Sequence, residues 1–538
     1  MNVELEAPAE ILVAARLAHT RRDWHASYAG FSRASEQRPL DIDDLDAMGM
    51  AAWRLGHAKE SARIAELVFT RLVREDPAAA AMKAAEASLA WLTRGDFNIG
   101  VAWMSRARRL LDGAPENTAH GYLAYLDVIH AVMLRNLDAL SVRVRELREL
   151  CGRLDDPALA ALTLVAQGLE AMLAGRMTEA YALIDEAMLP ILADQVPIEW
   201  AGDIYCIVLH HCYKVADLPR MRAWTQSMDQ WCELAGSVPF GGVCEIHRLQ
   251  LQDGADDYRQ IEDRLFTVSN NLAPVNSWAA AEGFYQLGEI RRLLGDTDGA
   301  LAAFARVRDL GVEPQPGEAL LRCRQGDTQA AWSGLRVALV GQHGIDRMRL
   351  LRGAVQVALA RDQLDEAESY CGELEAGAAA YGTPGFKAWA AHAKGSVLVR
   401  QGEFEAALGS LTSALPEYRS QQCRYETAEV YEWLALAHRG LGDERTAAAD
   451  AATADSIYDQ LGVEPAGICG ASTPGRLTKR ELEVLTRIAA GATNRSVAKQ
   501  MQISEKTVSR HLANIYAKLE VSSRTAAVAW AHHNKLLT

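Results

Sequence analysis

Between Ser504 and Leu519, the apolar residues Val508, Leu512, Ile515 and Leu519 recur at intervals of four, three and four. That spacing stacks them along one side of a helix. Lys506, Ser509, Arg510 and Ala513 fall on the opposite side, which is therefore basic and built partly of small residues. A shorter helix, Asn494 to Met501, precedes it across the turn Gln502-Ile503-Ser504 and turns Val497, Ala498 and Met501 inward. Upstream, Leu482, Leu485, Ile488 and Ala489 make another stripe, closed by Gly491. Thr478-Lys479-Arg480-Glu481 opens that stripe as a capping box. Asn494 is expected to cap the second helix, Ser504 the third, and Ser522 or Ser523 a last helix ending near His533. Residues 477–538 thus hold four helices. The middle pair has a helix-turn-helix layout, in which the second helix enters the DNA major groove.

From about Glu10 to Leu461 a different pattern repeats. A turn signal is followed five residues later by a small residue: Gly56 by Ser61, Gly95 by Gly100, Asn136 by Ser141, Gly175 by Ala180, Gly295 by Ala300, Gly326 by Ala331, Asp362 by Ala367, Gly402 by Ala407 and Gly442 by Ala447. Arg22 and Ser27 form a weaker first copy. Apart from the gap between Gly175 and Gly295, successive markers lie roughly 31 to 41 residues apart, the period of stacked helical hairpins. The glycine closes one helix in the left-handed conformation, and the Asp or Glu that often follows suits the start of the next. The small residue lets the two helices cross closely. A hairpin cannot bury its stripe alone, so neighbours supply the core. The markers fade from Ala216 to about Asn276, where Pro239, Gly241, Gly242 and Pro274 intervene, and a bend or joint is expected there. The expected division is residues 1–270 and 271–462 for two sets of repeats, 463–476 for a Gly- and Pro-rich linker, and 477–538 for the tail.

Composition agrees with an all-α chain. It has 538 residues, 49% of them hydrophobic, with few aromatics. Charge is divided: residues 476–538 carry eleven basic and four acidic side chains, +7, against −21 for the rest and −14 overall. A basic tail on an acidic body is the footprint of a nucleic-acid-binding module joined to something else. The N-terminal MNVELEAPAE is acidic and lacks the form of a signal peptide. No apolar run is long enough for a membrane span. The nine cysteines include no C-x-x-C pair, which points to reduced thiols in a cytoplasmic protein. Asp41 to Asp46 is an acidic run best explained as helix capping between hairpins.

The repeats resemble tetratricopeptide repeats, best in WAAHAKGSVLVRQGEFEAALGSLTSALPEY and the copy after it. That resemblance implies a concave superhelix binding a peptide, a partner protein or a small ligand. The tail resembles the LuxR-type DNA-binding domain. The matching residues are Leu477, Thr478, Arg480, Glu481, Val484, Leu485, Ala489, Gly491, Asn494, Ala498, Ile503, Ser504, Thr507, Val508, His511, Asn514, Ile515, Lys518, Leu519, Val521, Arg524 and Ala527. Two positions depart from the family: Glu520 stands where it usually has Gly, and Ser509 where it often has Lys. The fold expected is an all-α helical-hairpin solenoid followed by a four-helix LuxR-type domain.

Given that resemblance, Arg510 is the first candidate for a base contact, since a guanidinium bonds guanine O6 and N7 together. Lys506 and Ser509 reach base edges or phosphate, and Ala513 packs on a thymine methyl. Thr507, His511, Asn514, Lys518 and Arg524 are candidates for holding the DNA backbone, which fixes register without reading sequence. His511 is equally well explained as a helix-packing residue. Val528, Ala529 and Trp530 on the final helix are dimerisation candidates by family, or Trp530 simply covers the small core.

Double-stranded DNA is the expected partner, with a homodimer as the binding form and RNA polymerase as a further candidate partner. The repeats are expected to receive an unknown ligand or protein. The rival reading is an interaction scaffold only tethered to DNA. The large ATP-binding regulators of this class carry G-x-x-x-x-G-K-[ST], and no Gly-Lys pair occurs here. No catalytic constellation stands out, so no enzyme, cofactor or metal is expected. Cys206, His210 and Cys212, with Cys232, Cys244 and His247 after them, are the one cluster with soft ligands. Their spacing fits no zinc pattern, and packed cysteines explain them as well.

Overall fold

A computed structural model describes residues 8–134, 136–235, 241–252, 258–274, 276–463, 465, 477, 479–501, 505–519 and 521–533. Residues 1–7, most of the linker, Thr478, the turn 502–504 and Glu520 lie outside the described residues. All of the described secondary structure is helical. Among the described residues, twenty-four helices pair into twelve antiparallel hairpins, from Pro8–Thr20 with Trp24–Gln37 to Arg424–Gly440 with Glu444–Leu461. Four more, Lys479–Ala489, Asn494–Met501, Glu505–Lys518 and Arg524–His533, follow.

The hairpin turn is built as its residues require. At Gly295 (φ +76°) the left-handed conformation lets Asp296 N donate to Arg291 O at 2.9 Å. Asp296 then caps the next helix, accepting from Gly299 N at 3.0 Å. Ala300 follows with no exposed surface, at the crossing. Ser27, Gly100, Ala180, Ala331, Ala367, Ala407 and Ala447 are likewise buried. Arg22 (φ +61°) and Asp362 (φ +59°) take the same conformation without glycine, at a small steric cost.

Two details differ from the sequence expectation. Asn136 is the N-cap, accepting from Ala139 N at 3.0 Å, and not the turn residue. The repeat frame there begins one position earlier, so the buried crossing residue is Leu140 while Ser141 is exposed. The stretch Ala216–Asn276 also continues as helices, Leu218–Ala235, Gly241–Gln252 and Tyr258–Leu272. Ala216 supplies the left-handed turn (φ +53°) and Met221 the buried crossing residue. Neither residue type announces that role. Asp41 does cap its helix, accepting from Asp44 N at 2.8 Å.

The solenoid winds tightly enough to touch itself. Ser277 N donates to Arg94 O at 3.1 Å and Gly385 N to Ala216 O at 3.0 Å. Arg222 Nη2 reaches Gln421 O at 3.2 Å across 199 residues. Gly385 is required by the contact: a Cβ there would lie 2.3 Å from Ala216 Cβ and 2.4 Å from its carbonyl oxygen. Inside the coil is a cavity of about 610 Å³, bordered by the helices Ile198–Lys214, Ser277–Leu293, Gly344–Ala360, Pro384–Gln401 and Arg424–Gly440. Among the described residues no helix is long and apolar enough to cross a membrane.

Polar groups sit deep in this body. Tyr125 donates to buried Asp203 at 3.0 Å, and burial pushes the Asp203 carboxyl up to about 7. The folded protein therefore keeps that proton over a range where the unfolded chain, with its ordinary carboxyl near 3.8, has lost it. The associated stability is full below that lower value and is lost as pH rises through about 7. Asp203→Asn is expected to be more stable than wild type at pH 8 and to show little difference at pH 4, read from urea midpoints at the two pH values. Gly385→Ala is expected to cost about 1–3 kcal/mol by overpacking the coil contact. Thermal and urea unfolding of the full chain would measure it.

Candidate nucleic-acid interface

The four C-terminal helices have their own core. Val508, Leu512 and Ile515, the apolar side of Glu505–Lys518, and Leu519 just after it pack with Val484, Leu485, Ile488, Val497, Ala498 and Met501. Ala527 and Ala531 complete it from the last helix. Burying one stripe fixes the orientation of the other. Ser509, Ala513 and Asn514 are exposed, and Thr507 and His511 are half-buried. The side chains of Lys506, Arg510 and Lys518 lie outside the described residues.

The geometry of the pair is set by a small polar hub that periodicity does not reveal. Thr493, not Asn494, caps the second helix: its Oγ1 accepts from Ser496 N at 3.2 Å and its carbonyl from Val497 N at 2.9 Å. Asn494 is freed for another task. Its Nδ2 donates to Ser509 Oγ at 3.3 Å, and its Oδ1 accepts from Arg524 Nη1 at 3.2 Å. Arg524 Nη2 also donates to the Ala492 carbonyl. One asparagine thus ties the second, third and fourth helices together. Both residues belong to the LuxR-type match, but their pairing across 30 positions has no signal in either one.

The hub bears on individual candidates. Ser509 Oγ also donates to Glu505 O at 3.0 Å, so its hydroxyl is engaged on both sides within the domain. Arg524, half-buried, has its guanidinium directed at Asn494 and Ala492. On the last helix, Ser523 is the cap, accepting from Ala526 N at 3.2 Å. Ala529 is exposed, while Val528 and Trp530 are half-buried against the core. Gly491 (φ +85°) ends the first helix as expected. Glu481 is buried, but its expected partner Thr478 and the cap Ser504 lie outside the described residues.

The cysteine–histidine cluster does not converge. Among the described residues no three His, Cys, Asp or Glu side chains are placed to hold a metal ion. Cys212 is buried, and burial pushes its thiol up, away from the thiolate that a reactive cysteine needs. His210 packs edge-on to Trp278, with ring centres 4.7 Å apart. His247 meets Gln250 at 3.1 Å. The side chain of Cys232 lies outside the described residues.

Four helices around one small core, with Ser509, Ala513 and Asn514 of the third exposed, have the form of a DNA-binding domain. Residues 475–531 match the GerE family, described as bacterial regulatory proteins, luxR family, so the chain carries a LuxR-type domain at residues 475–531. The transcriptional regulatory protein LiaR of Bacillus subtilis (strain 168) is 51% identical over 61 residues, 11% of this chain and 29% of LiaR. The CsgBAC operon transcriptional regulatory protein of Escherichia coli (strain K12) is 47% identical over 58 residues, 11% of this chain and 27% of that protein. The response regulator VraR of Staphylococcus aureus (strain NCTC 8325 / PS 47) is 46% identical over 61 residues, 11% of this chain and 29% of VraR. The chain thus spans less than a third of the length of these relatives. Among solved structures, the APC/C hetero-tetramer Cut9-Hcn1 aligns with 86% of this chain and 97% of its own at 12% identity and a TM-score of 0.40. Yeast Tom70 aligns with 84% of this chain and 96% of its own at 13% identity and a TM-score of 0.31.

The hub generates a test. Arg524→Ala leaves Asn494 Oδ1 and the Ala492 carbonyl without their donor and is expected to destabilise the C-terminal unit by about 1–3 kcal/mol. Arg524→Lys should not restore it, because a single ammonium cannot span both acceptors. Hydrogen exchange of the C-terminal helices in the full chain reports the change.

Proposed function

We propose that this protein is a sequence-specific transcription regulator. Its C-terminal unit binds double-stranded DNA as a homodimer, and its helical hairpins receive the signal that controls binding. The observation that carries the reading is the helix Glu505–Lys518, whose apolar stripe is buried while Ser509, Ala513 and Asn514 are exposed, in a segment of net charge +7 joined to a body of −21. Arg510 reads a base, with Lys506, Ser509 and Ala513 beside it. Thr507, His511, Asn514 and Lys518 hold phosphate or sugar. Arg524 acts by fixing the hub, with Ser509 oriented by the same network. Ala529, between Val528 and Trp530, lies at the dimer contact. RNA polymerase is a partner of the bound form, and the cytoplasm is the compartment. An acidic body can shield a basic tail at low salt, which gives the hairpins a means of control.

Genome-wide mapping of bound DNA is expected to return sites with two-fold symmetric halves, as a dimer requires. At such a site, Arg510→Ala with Lys506→Ala is expected to lower selective affinity by about 1–3 kcal/mol for each base interaction removed. Salt-dependent binding to unrelated DNA should mostly survive. If no preferred sequence exists to lose, and partner binding by the hairpins is unchanged, the protein is a scaffold instead.

A further inference from the structure

The cavity inside the coil is lined by four basic and six acidic side chains. Most of these charges are matched in place. Arg292 Nη2 lies 3.0 Å from Glu289, and Arg352 lies 3.2 Å from Glu426 and 3.4 Å from Glu429. Lys214 meets Asp346 at 2.5 Å. Arg349 is different. No carboxylate lies within 4.0 Å of it among the described residues, and its one hydrogen bond there runs from Nη2 to Tyr213 Oη at 2.7 Å. Its guanidinium carbon sits 4.6 Å from the centre of the Tyr285 ring and 5.2 Å from that of Tyr213. Tyr213 in turn donates to Gln286 Oε1 at 3.1 Å. Three helices from three hairpins, Ile198–Lys214, Ser277–Leu293 and Gly344–Ala360, thus hold one guanidinium at the cavity wall with most of its donors uncommitted.

Glu282, one turn before Tyr285 and Gln286, also lines the cavity and has no hydrogen bond or cation partner among the described residues. Burial opposes the charge on Arg349, but Tyr213 and Tyr285, and then Glu282 and Glu289, more than offset it. Glu282 is therefore close enough to act on Arg349 and too far to pair with it. Two opposite charges that line one cavity without pairing match a molecule with opposite charges at its ends. We propose that this cavity binds a small zwitterion, an amino acid or a short peptide, with its carboxylate on Arg349 and its ammonium facing Glu282. A guanidinium fork suits a planar carboxylate. The surplus of acidic side chains favours a ligand that brings a cation and disfavours a doubly charged phosphate. About 610 Å³ lies within the range of about 300–1,000 Å³ usual for small-molecule sites. The assignment rests on the reading that the hairpins receive a ligand, and it gives that ligand a chemical class.

The test uses the full chain and retained-ligand mass spectrometry. The probes are the free amino acids singly, a tripeptide library, the same library N-acetylated or C-amidated, and inorganic phosphate. Retention of an amino acid or of free tripeptides, with loss on blocking either end, is the expected result. Retention of amino acids alone, or of tripeptides alone, identifies the source. Arg349→Gln is expected to weaken that binding about ten- to hundredfold, the value of a charge-assisted hydrogen bond. Glu282→Gln should remove the preference for a free amine while leaving thermal stability unchanged, so a folding defect is not mistaken for a binding defect. Retention of none of these probes, preference for phosphate, or equal binding by wild type and both variants would overturn the proposal. Operator affinity measured alongside separates the two readings. A retained zwitterion that leaves DNA binding unchanged supports the site and defeats its role as signal. Intact operator binding with no retained zwitterion defeats the site alone.

Discussion

The close crossing of paired helices at a residue with almost no side chain is the constraint on which the body depends. A left-handed turn reverses the chain in two or three residues, and the next helix then runs back against the first. With alanine or glycine at the crossing, as at Ala300, Ala407 and Gly100, the axes approach and the larger stripes interlock further along; Leu140 and Met221 fill that place in two of the hairpins. A hairpin held this way is thin and presents apolar surface on both flanks, so it must stack. Among the described residues, twelve stacked hairpins produce the curvature, and the curvature brings distant helices around a common interior.

That interior is expensive to maintain. Arg352 faces Glu426 and Glu429, and burial pushes the Glu429 carboxyl up to about 7. Arg292, Arg349 and Glu289 share the same space. A purely apolar filling of similar volume would be at least as stable, since desolvating ions costs as much as pairing them returns. A polar interior at the centre of the coil is therefore not explained by stability. The C-terminal unit obeys the opposite rule. Its twelve core side chains are apolar, its polar hub lies at the helix junctions, and Ser509, Ala513 and Asn514 face outward.

Much of this is legible in the sequence, for identifiable reasons. Each helix stripe and most hairpin turns are local patterns, so Gly295 with Ala300 or Val508 with Ile515 can be read within a few residues. Asn136 reads one position out of frame because asparagine serves equally at a turn and at a cap. Ala216 with Met221 escapes the pattern because neither residue type favours its conformation or place; the neighbouring structure imposes both. Asn494 looks like a cap, and only the folded unit shows that Thr493 takes that role. The cavity is beyond reach altogether. Its wall draws on Tyr213, Glu282 and Arg349, whose neighbourhood is created by the winding of the coil and by no pattern within any one repeat.

The contacts of Ala216 with Gly385 and of Arg94 with Ser277 change how such an array comes apart. In an open solenoid each hairpin touches only its neighbours, and unfolding can begin at an end and travel inward. Here hairpins well over a hundred residues apart are also joined, so fraying the early hairpins withdraws support from late ones. The coil behaves less like a row of dominoes than like a wound ring. Its cooperativity extends across the turns, and whatever tightens one turn is felt in the next.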